Sequence, residues 1–258
     1  MRTPRLIAAL AAVAAVFFTL PLIGLVAEAP WTSVGSTLLS PQVRRAAGLS
    51  LVASTIAVAL GLVLAFPLAW VLARTRLPGR RWLRGLVLLP MVLPPVVAGV
   101  GLLTAFGRRG LLGEVLEAAG LSIPFTTAAV VLAATFVSAP FLVVTLEAGL
   151  AGLDRRLEDV ASTLGASDTR VLGTVVLPGL KPSLAAGVAL AWTRALGEFG
   201  ATITFAGNLR GRTQTMPLAV YEMLQTDAGA AIALSVALMA ICLIAVVAVR
   251  GGLFREPR

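Results

Sequence analysis

The sequence contains no histidine, one cysteine (Cys242), one tyrosine (Tyr221) and one lysine (Lys181). A disulfide within the chain is therefore impossible, and a metal or haem site built from His and Cys has no ligands to draw on. ATP hydrolysis at a phosphate loop needs Gly-Lys followed by Ser or Thr in a glycine-rich turn. Lys181 follows Leu180 and precedes Pro182. No catalytic residue, metal or cofactor is accordingly expected on this chain, and it is not expected to be an ATPase.

Charge is scarce too. Of 258 residues 13% are charged and 58% hydrophobic, outside the range of soluble globular domains. The formal net charge is +9, but a nucleic-acid binder gathers its Lys and Arg on one solvated face with aromatic or polar readers. Here the basic residues fall in short bursts between apolar runs. That pattern points to membrane topology and away from nucleic acid.

What the sequence has in quantity is apolar length. A hydrocarbon core about 30 Å thick takes about 20 helical residues at about 1.5 Å each. Six stretches qualify, near Leu6 to Ala27, Ala47 to Ala73, Leu86 to Phe106, Pro124 to Leu150, Pro182 to Phe205 and Ala230 to Val249. They predict an all-α integral membrane protein with about six transmembrane helices in a single domain over residues 1–258. The first stretch has Arg2 and Arg5 ahead of it and Ala27-Glu28-Ala29 behind it, as a cleaved secretory signal would. Its apolar run exceeds the roughly 7 to 15 residues of such signals, and Pro30 disfavours cleavage, so it is read as span one.

Lys and Arg are retained on the cytoplasmic side of a span. One set of span ends carries fourteen of them: Arg2, Arg5, Arg74, Arg76, Arg80, Arg81, Arg84, Arg155, Arg156, Arg170, Lys181, Arg250, Arg255 and Arg258. The opposite loops carry six, Arg44, Arg45, Arg108, Arg109, Arg210 and Arg212. This asymmetry predicts a multi-pass protein of the cell (inner or plasma) membrane with both termini cytoplasmic. Small residues such as Ala53-Ser54 and Ala185-Ala186-Gly187 let helix backbones approach closely in lipid. Pro67, Pro90, Pro94, Pro95 and Pro140 predict kinks. Both features fit ordinary bundle packing, and both also fit kinked third and fourth spans around a pathway.

The longest cytoplasmic connection, residues 152–178, is too polar to span and too patterned for a plain linker. Leu157, Val160, Ala161 and Leu164 follow the i, i+3, i+4, i+7 spacing of one helical face. Asp154 is placed to cap that helix, and Gly165 can take the left-handed conformation that ends it. Ser167 or Asp168 can cap a second short helix carrying Val171, Leu172, Val175 and Val176, with Pro178 as its stop. The expectation is two short helices joined by a glycine elbow, whose apolar face docks either on the chain's own helix ends or on a partner.

This segment resembles the coupling loop of ABC importer permeases, whose pattern is Glu-Ala-Ala, three residues, Gly, nine residues, Ile, one residue, Leu-Pro. Asp159-Val160-Ala161 stands for the triplet, Gly165 for the glycine, and Val175, Leu177 and Pro178 for the end, with both spacings met. Asp for Glu, Val for Ala and Val for Ile are chemically mild departures. The resemblance implies the type I importer permease fold and an ATPase-coupling role for Leu157, Asp159, Val160, Ala161, Leu164, Gly165, Val175, Leu177 and Pro178. It also implies a second permease copy, two ABC ATPase subunits that hold ATP and Mg, and an external binding protein.

Span five contains a charged pair, Arg194 and Glu198, four residues apart and so on one helix face. A structural ion pair and a direct substrate contact are both open, because the planar guanidinium fork suits a tetrahedral oxyanion. Together with Thr202 these residues are the candidates for the translocation path. The run Arg194 to Tyr221, including Gly211-Arg212-Thr213-Gln214-Thr215-Met216-Pro217-Leu218-Ala219-Val220-Tyr221, is similar to molybdate and tungstate permeases, with sulfate and thiosulfate permeases as relatives. That resemblance implies an oxyanion as the solute, and molybdate or tungstate ahead of sulfate. The chemistry of the residues does not separate these tetrahedral dianions. The loop from Asn208 to Asp227, read as external, is a candidate for contact with the binding protein or an irregular cover over the bundle. Arg108 and Arg109 are read either as solvated or as meeting acidic residues of that partner. A secondary transporter would show internal repeats facing each other across the membrane, and none is evident. A scaffold without transport function would have little use for an intramembrane charge pair.

Overall fold

The computed structural model describes residues 4–253, and side chains as far as residue 248. Arg2, Arg255 and Arg258, which enter the charge asymmetry, lie outside the described residues, as does the Arg250 side chain. Every regular element among the described residues is helical. Five helices are long and apolar enough to cross a membrane, and a sixth crossing is formed if one bent pair counts as a single span.

The first is α1 (Arg5–Ala27), none of whose residues is buried within the chain. Its apolar side chains face outward all round, as those of a helix held by lipid do. A short α2 (Val34–Leu39) precedes α3 (Pro41–Arg74), the longest helix. Pro41 opens α3 at a position that needs no amide donor, and Ser40 Oγ accepts the Val43 amide at 3.4 Å. Ala53, Ala57, Gly61, Ala65 and Ala69 recur every fourth residue along α3, and all are buried. They form a shallow ridge against α7 (Thr127–Gly152), the most extensive helix pairing in the protein. The fit is close: a Cβ added at Gly61 would lie 3.0 Å from Leu142 Cδ1.

The predicted third span is broken. Helix α4 (Arg80–Val92) and α5 (Pro95–Phe106) meet at 117° across Leu93-Pro94. Pro94 and Pro95 cannot donate to the preceding turn, so the α4 hydrogen-bond ladder ends at Leu93 and α5 starts afresh with Pro95 in its first turn. Leu86 to Phe106 is therefore divided between two helices at a sharp break, where a single kinked crossing was expected. Arg84 of α4 pairs with Glu147 of α7 and fixes the first half against the bundle.

Helix α6 (Gly113–Ala118) lies in the loop after α5. After α7 come α8 (Arg155–Thr163), α9 (Asp168–Val171) and a π-turn over Leu172–Val176, which runs on without a break into α10 (Leu177–Leu196). Helices α11 (Gly200–Phe205), α12 (Met216–Met223) and α13 (Ala228–Leu253) complete the described residues. One hydrophobic cluster joins α3, α7, α9 and α10 at the α8 end, and includes Leu72, Leu146, Leu150, Val176 and Leu180. A second joins α5, α7 and α11 towards the opposite end, around Leu102, Val130 and Phe205.

Candidate functional site

The segment 152–178 leaves the bundle at the end of α7. Asp154 Oδ1 accepts the Arg156 amide at 3.0 Å and so caps α8. At the other end Gly165 has φ +84°, its amide donates to Ser162 O at 3.0 Å, and Ala166 N donates to Ala161 O at 3.0 Å. This doubled bond around a left-handed residue is the Schellman closure, which glycine makes without a Cβ penalty.

The expected second short helix is not a separate element. It begins at Ser167 but passes through Pro178 into α10, giving one helix over Asp168–Leu196. In the π-turn Leu177 N donates to Leu172 O, five residues back, and this wider turn lets Pro178 sit in the first turn of α10. Val175 and Val176 accordingly pack in the core cluster at the foot of span five, whereas Leu177 and Pro178 stay on the surface.

The predicted apolar face of α8 divides in two. Ala161 turns inward against the core cluster. Leu157, Val160 and Leu164 turn outward and are 59%, 56% and 83% exposed. Asp159 is exposed beside them. One turn from Ala161, Glu158 faces inward and binds Arg74, the last residue of α3, at 2.6 Å. Sequence spacing did not reveal this pair, because its partners are 84 positions apart.

The span expected over Pro182 to Phe205 starts and ends earlier, because the helix over Asp168–Leu196 is by itself long and apolar enough to cross the membrane. Helix α10 ends at Leu196, and α11 starts at Gly200 after a break at Gly197, Glu198 and Phe199. Arg194 Nη1 binds Glu198 Oε2 at 2.7 Å, as the four-residue spacing predicted. Glu198 is 2% exposed and Arg194 31%. The same carboxylate accepts the Ala201 amide on its other oxygen at 2.8 Å, so it also serves the N-terminus of α11. Thr202 is buried on α11, at 1% exposure, and presents no open surface to a solute in this conformation. Beside the break lies an apolar cavity of about 440 Å³ lined by Phe199, Val220, Tyr221, Leu238, Met239 and Cys242.

The loop after span five carries structure that the sequence reading did not assign. Within Asn208 to Asp227, α12 turns back onto α3 and α13 and buries Met216, Leu218 and Ala219. Ser50 Oγ of α3 accepts the Met216 amide at 2.8 Å. Thr215 followed by Met216-Pro217 is a start signal that was legible in principle, since proline favours the first helical turn. The Glu222 carboxylate gathers this loop by accepting from Arg210, Gln214 and Asn208. Gln42 of α3 in turn donates to Gln214 Oε1 at 3.1 Å. The Arg210 hydrogen bond holds the Glu222 carboxyl below the ordinary carboxylate range, against its partial burial, and the Gln214 bond adds to the lowering.

Fold and sequence together place this bundle, with its bent α4–α5 pair and its buried Glu198, among membrane permeases of the ABC importer type. The fold is shared with a chain of a bacterial ABC transporter involved in the import of the acidic polysaccharide alginate. The two superpose with a TM-score of 0.73 at 18% identity, over 98% of this chain and 96% of that one. Residues 57–253 match the family of binding-protein-dependent transport system inner membrane components, and the chain belongs to that family. It is similar to the molybdenum transport system permease protein ModB of Mycobacterium tuberculosis, with 47% identity over 234 residues, 91% of this chain and 89% of that protein. It is also similar to the sulfate transport system permease protein CysT of Escherichia coli, with 39% identity over 209 residues, 80% of this chain and 76% of that protein.

Proposed function

We propose that this chain is the membrane-spanning subunit of an importer that carries a tetrahedral oxyanion, molybdate or tungstate, into the cytoplasm. The observation that carries the choice of solute is the 47% identity to a molybdenum permease across nine-tenths of the chain, against 39% to a sulfate permease. Two copies of the chain pair with two ABC ATPase subunits, which bind ATP and Mg, and an external oxyanion-binding protein delivers the solute. The chain lies in the inner or plasma membrane with both termini cytoplasmic, a reading supported by the uneven distribution of arginines.

The segment 152–178 is the docking point for the ATPase. Its support is the outward stance of Leu157, Val160 and Leu164 on a short helix outside the spans, since exposed apolar side chains grouped on one face mark an interface. Asp159 stands at the rim, Ala161 and Val175 seat the segment on the bundle, Gly165 sets its elbow, and Leu177 and Pro178 lead into span five. Closure of the ATPase pair then displaces α8 and, through the continuous helix over Asp168–Leu196, moves the charged break of Arg194 and Glu198. That break lies on the translocation path, with Thr202 exposed to it in another state of the cycle.

The test is reconstitution of the chain with its ATPase subunits in vesicles, with binding protein and ATP on the appropriate sides. Uptake of molybdate that requires ATP and resists an excess of sulfate is the expected result. Equal competition by sulfate selects the sulfate reading instead. A monodisperse chain that transports without any ATPase would reject the importer altogether.

A further inference from the structure

Helix α8 is held to the bundle by one narrow face. Its backbone packs chiefly on α9 and the π-turn that follow it, and none of its residues is fully buried. It is also hinged at both ends, by the extended Leu153-Asp154 step and by Gly165 at φ +84°. Two inward residues one turn apart oppose this freedom. Ala161 is a small apolar seat, and Glu158 reaches the end of α3.

The receiving side of that contact is built in depth. The Arg74 side chain is 8% exposed, and its guanidinium lies 6.0 Å from the Trp70 ring centroid. Trp70 packs on Phe66 with centroids 6.2 Å apart. Positions 66, 70 and 74 share one side of α3, so a continuous stack runs along the span and ends on a carboxylate of α8. Arg74 Nε is buried without a partner, which leaves Glu158 as the paired anion of a largely desolvated cation.

We propose that Arg74 and Glu158 are positioning residues that form a strut. Displacement of α8 passes through their bridge to α3, and from α3 to α7 along the ridge of small residues. Without the bridge α8 swings on its two hinges and absorbs the displacement. This inference rests on the reading of α8 as the ATPase docking point. It adds a second route into the bundle beside the covalent one through α10, and assigns it to two named side chains.

Two measurements on the full chain test it. In the reconstituted complex with ATPase subunits and binding protein, the readout is molybdate taken up per ATP hydrolysed, normalised to assembled complex. Arg74→Gln and Glu158→Gln are each expected to assemble and hydrolyse ATP but to lower that ratio about tenfold. The double variant should fall no further, where independent sites would multiply to about a hundredfold. Arg74→Lys, which keeps the cation, should recover most of the loss.

The second measurement needs no transport. Spin labels at Ser162→Cys and Arg76→Cys, in a Cys242→Ser background, report the spacing of α8 from the end of α3. The distance distribution should broaden in Glu158→Gln. Single variants with the wild-type ratio, a double variant near a hundredfold loss, or an unbroadened distribution would overturn the strut. A wild-type complex without ATP-driven molybdate uptake would instead reject the proposed function, and the spin-label distances would still decide the strut.

Discussion

The Glu198 carboxylate closes both sides of the break between α10 and α11: one oxygen takes Arg194 from the end of α10 at 2.7 Å, and the other takes the Ala201 amide at the start of α11 at 2.8 Å. Removing Arg194 leaves a carboxylate of 2% exposure with only an amide to compensate it. Breaking a buried pair in this way costs on the order of 3 kcal/mol, towards the low end of the usual range because Arg194 keeps some solvent contact. Arg194→Ala should therefore lower the melting temperature in detergent. Adding Glu198→Gln should restore it, because the amide oxygen still accepts from Ala201 and carries no charge. A double variant that melts no higher than Arg194→Ala would show that the charge balance is not what the pair supplies. If the restored double variant folds but does not transport, Arg194 contacts the anion as well.

Two glycines of α5 predict opposite outcomes for the same substitution. A Cβ at Gly99 would lie 2.6 Å from Thr204 Cβ and 2.9 Å from the Ala201 carbonyl, whereas one at Gly101 meets nothing within 4 Å. Alanine is favoured over glycine in a helix by about 1 kcal/mol, and overpacking costs about 1 to 3 kcal/mol. Gly101→Ala should leave thermal stability unchanged or raised, and Gly99→Ala should lower it by forcing α5 away from α11. Equal melting temperatures for the two would mean that α5 and α11 do not pack as described.

The loop after span five should lose stability in acid. Glu222 has its carboxyl held below its ordinary value of 4.5, first by the Arg210 hydrogen bond and then by Gln214. A depressed carboxylate stabilises the fold above its unfolded value, and this contribution is lost as pH falls through the lower folded value. Arg210 is 67% exposed, so the effect is screened and modest. Between about pH 6 and about pH 3 the melting temperature of the wild type should fall more steeply than that of Glu222→Gln. Parallel curves would remove Glu222 from the account of acid sensitivity.

The spans were legible wherever apolar length alone decides them, as in α1, α3, α7 and α13. The Asp154 cap and the left-handed Gly165 were legible because each is set by its own few neighbours. Where the reading failed, a local signal met a tertiary answer. Pro94-Pro95 reads as a kink, and only packing of α5 on α11 through Gly99 and Gly200 turns it into a 117° break. Pro178 reads as a stop, and the π-turn before it carries the helix through. The Arg74–Glu158 contact has no periodicity to announce it, since the fold alone brings the end of α3 to α8.

Gly165 isolates conformational strain from steric crowding. Its φ is +84°, and a Cβ added there meets no atom within 4 Å. A valine at this position costs roughly 1 kcal/mol or more through its own backbone, while its Cβ meets no neighbour. That cost is small beside the roughly 5 to 15 kcal/mol by which a folded domain is usually stable, so Gly165→Val should insert and co-purify with the proposed ATPase partner at near-normal yield. The Schellman closure is the element that gives way, and with it the outward angle of Leu157, Val160 and Leu164, the proposed ATPase contact. Oxyanion-stimulated ATP hydrolysis and uptake should then fall together in reconstituted vesicles. Gly120→Val is the matched control, because Gly120 has φ +71° with equally open surroundings and lies in the loop before α7, at the other end of the bundle. It bears the same strain away from α8 and should transport as the wild type does. If Gly165→Val transports as well as Gly120→Val, the segment 152–178 is not where the ATPase acts, and the coupling role assigned to its residues is withdrawn.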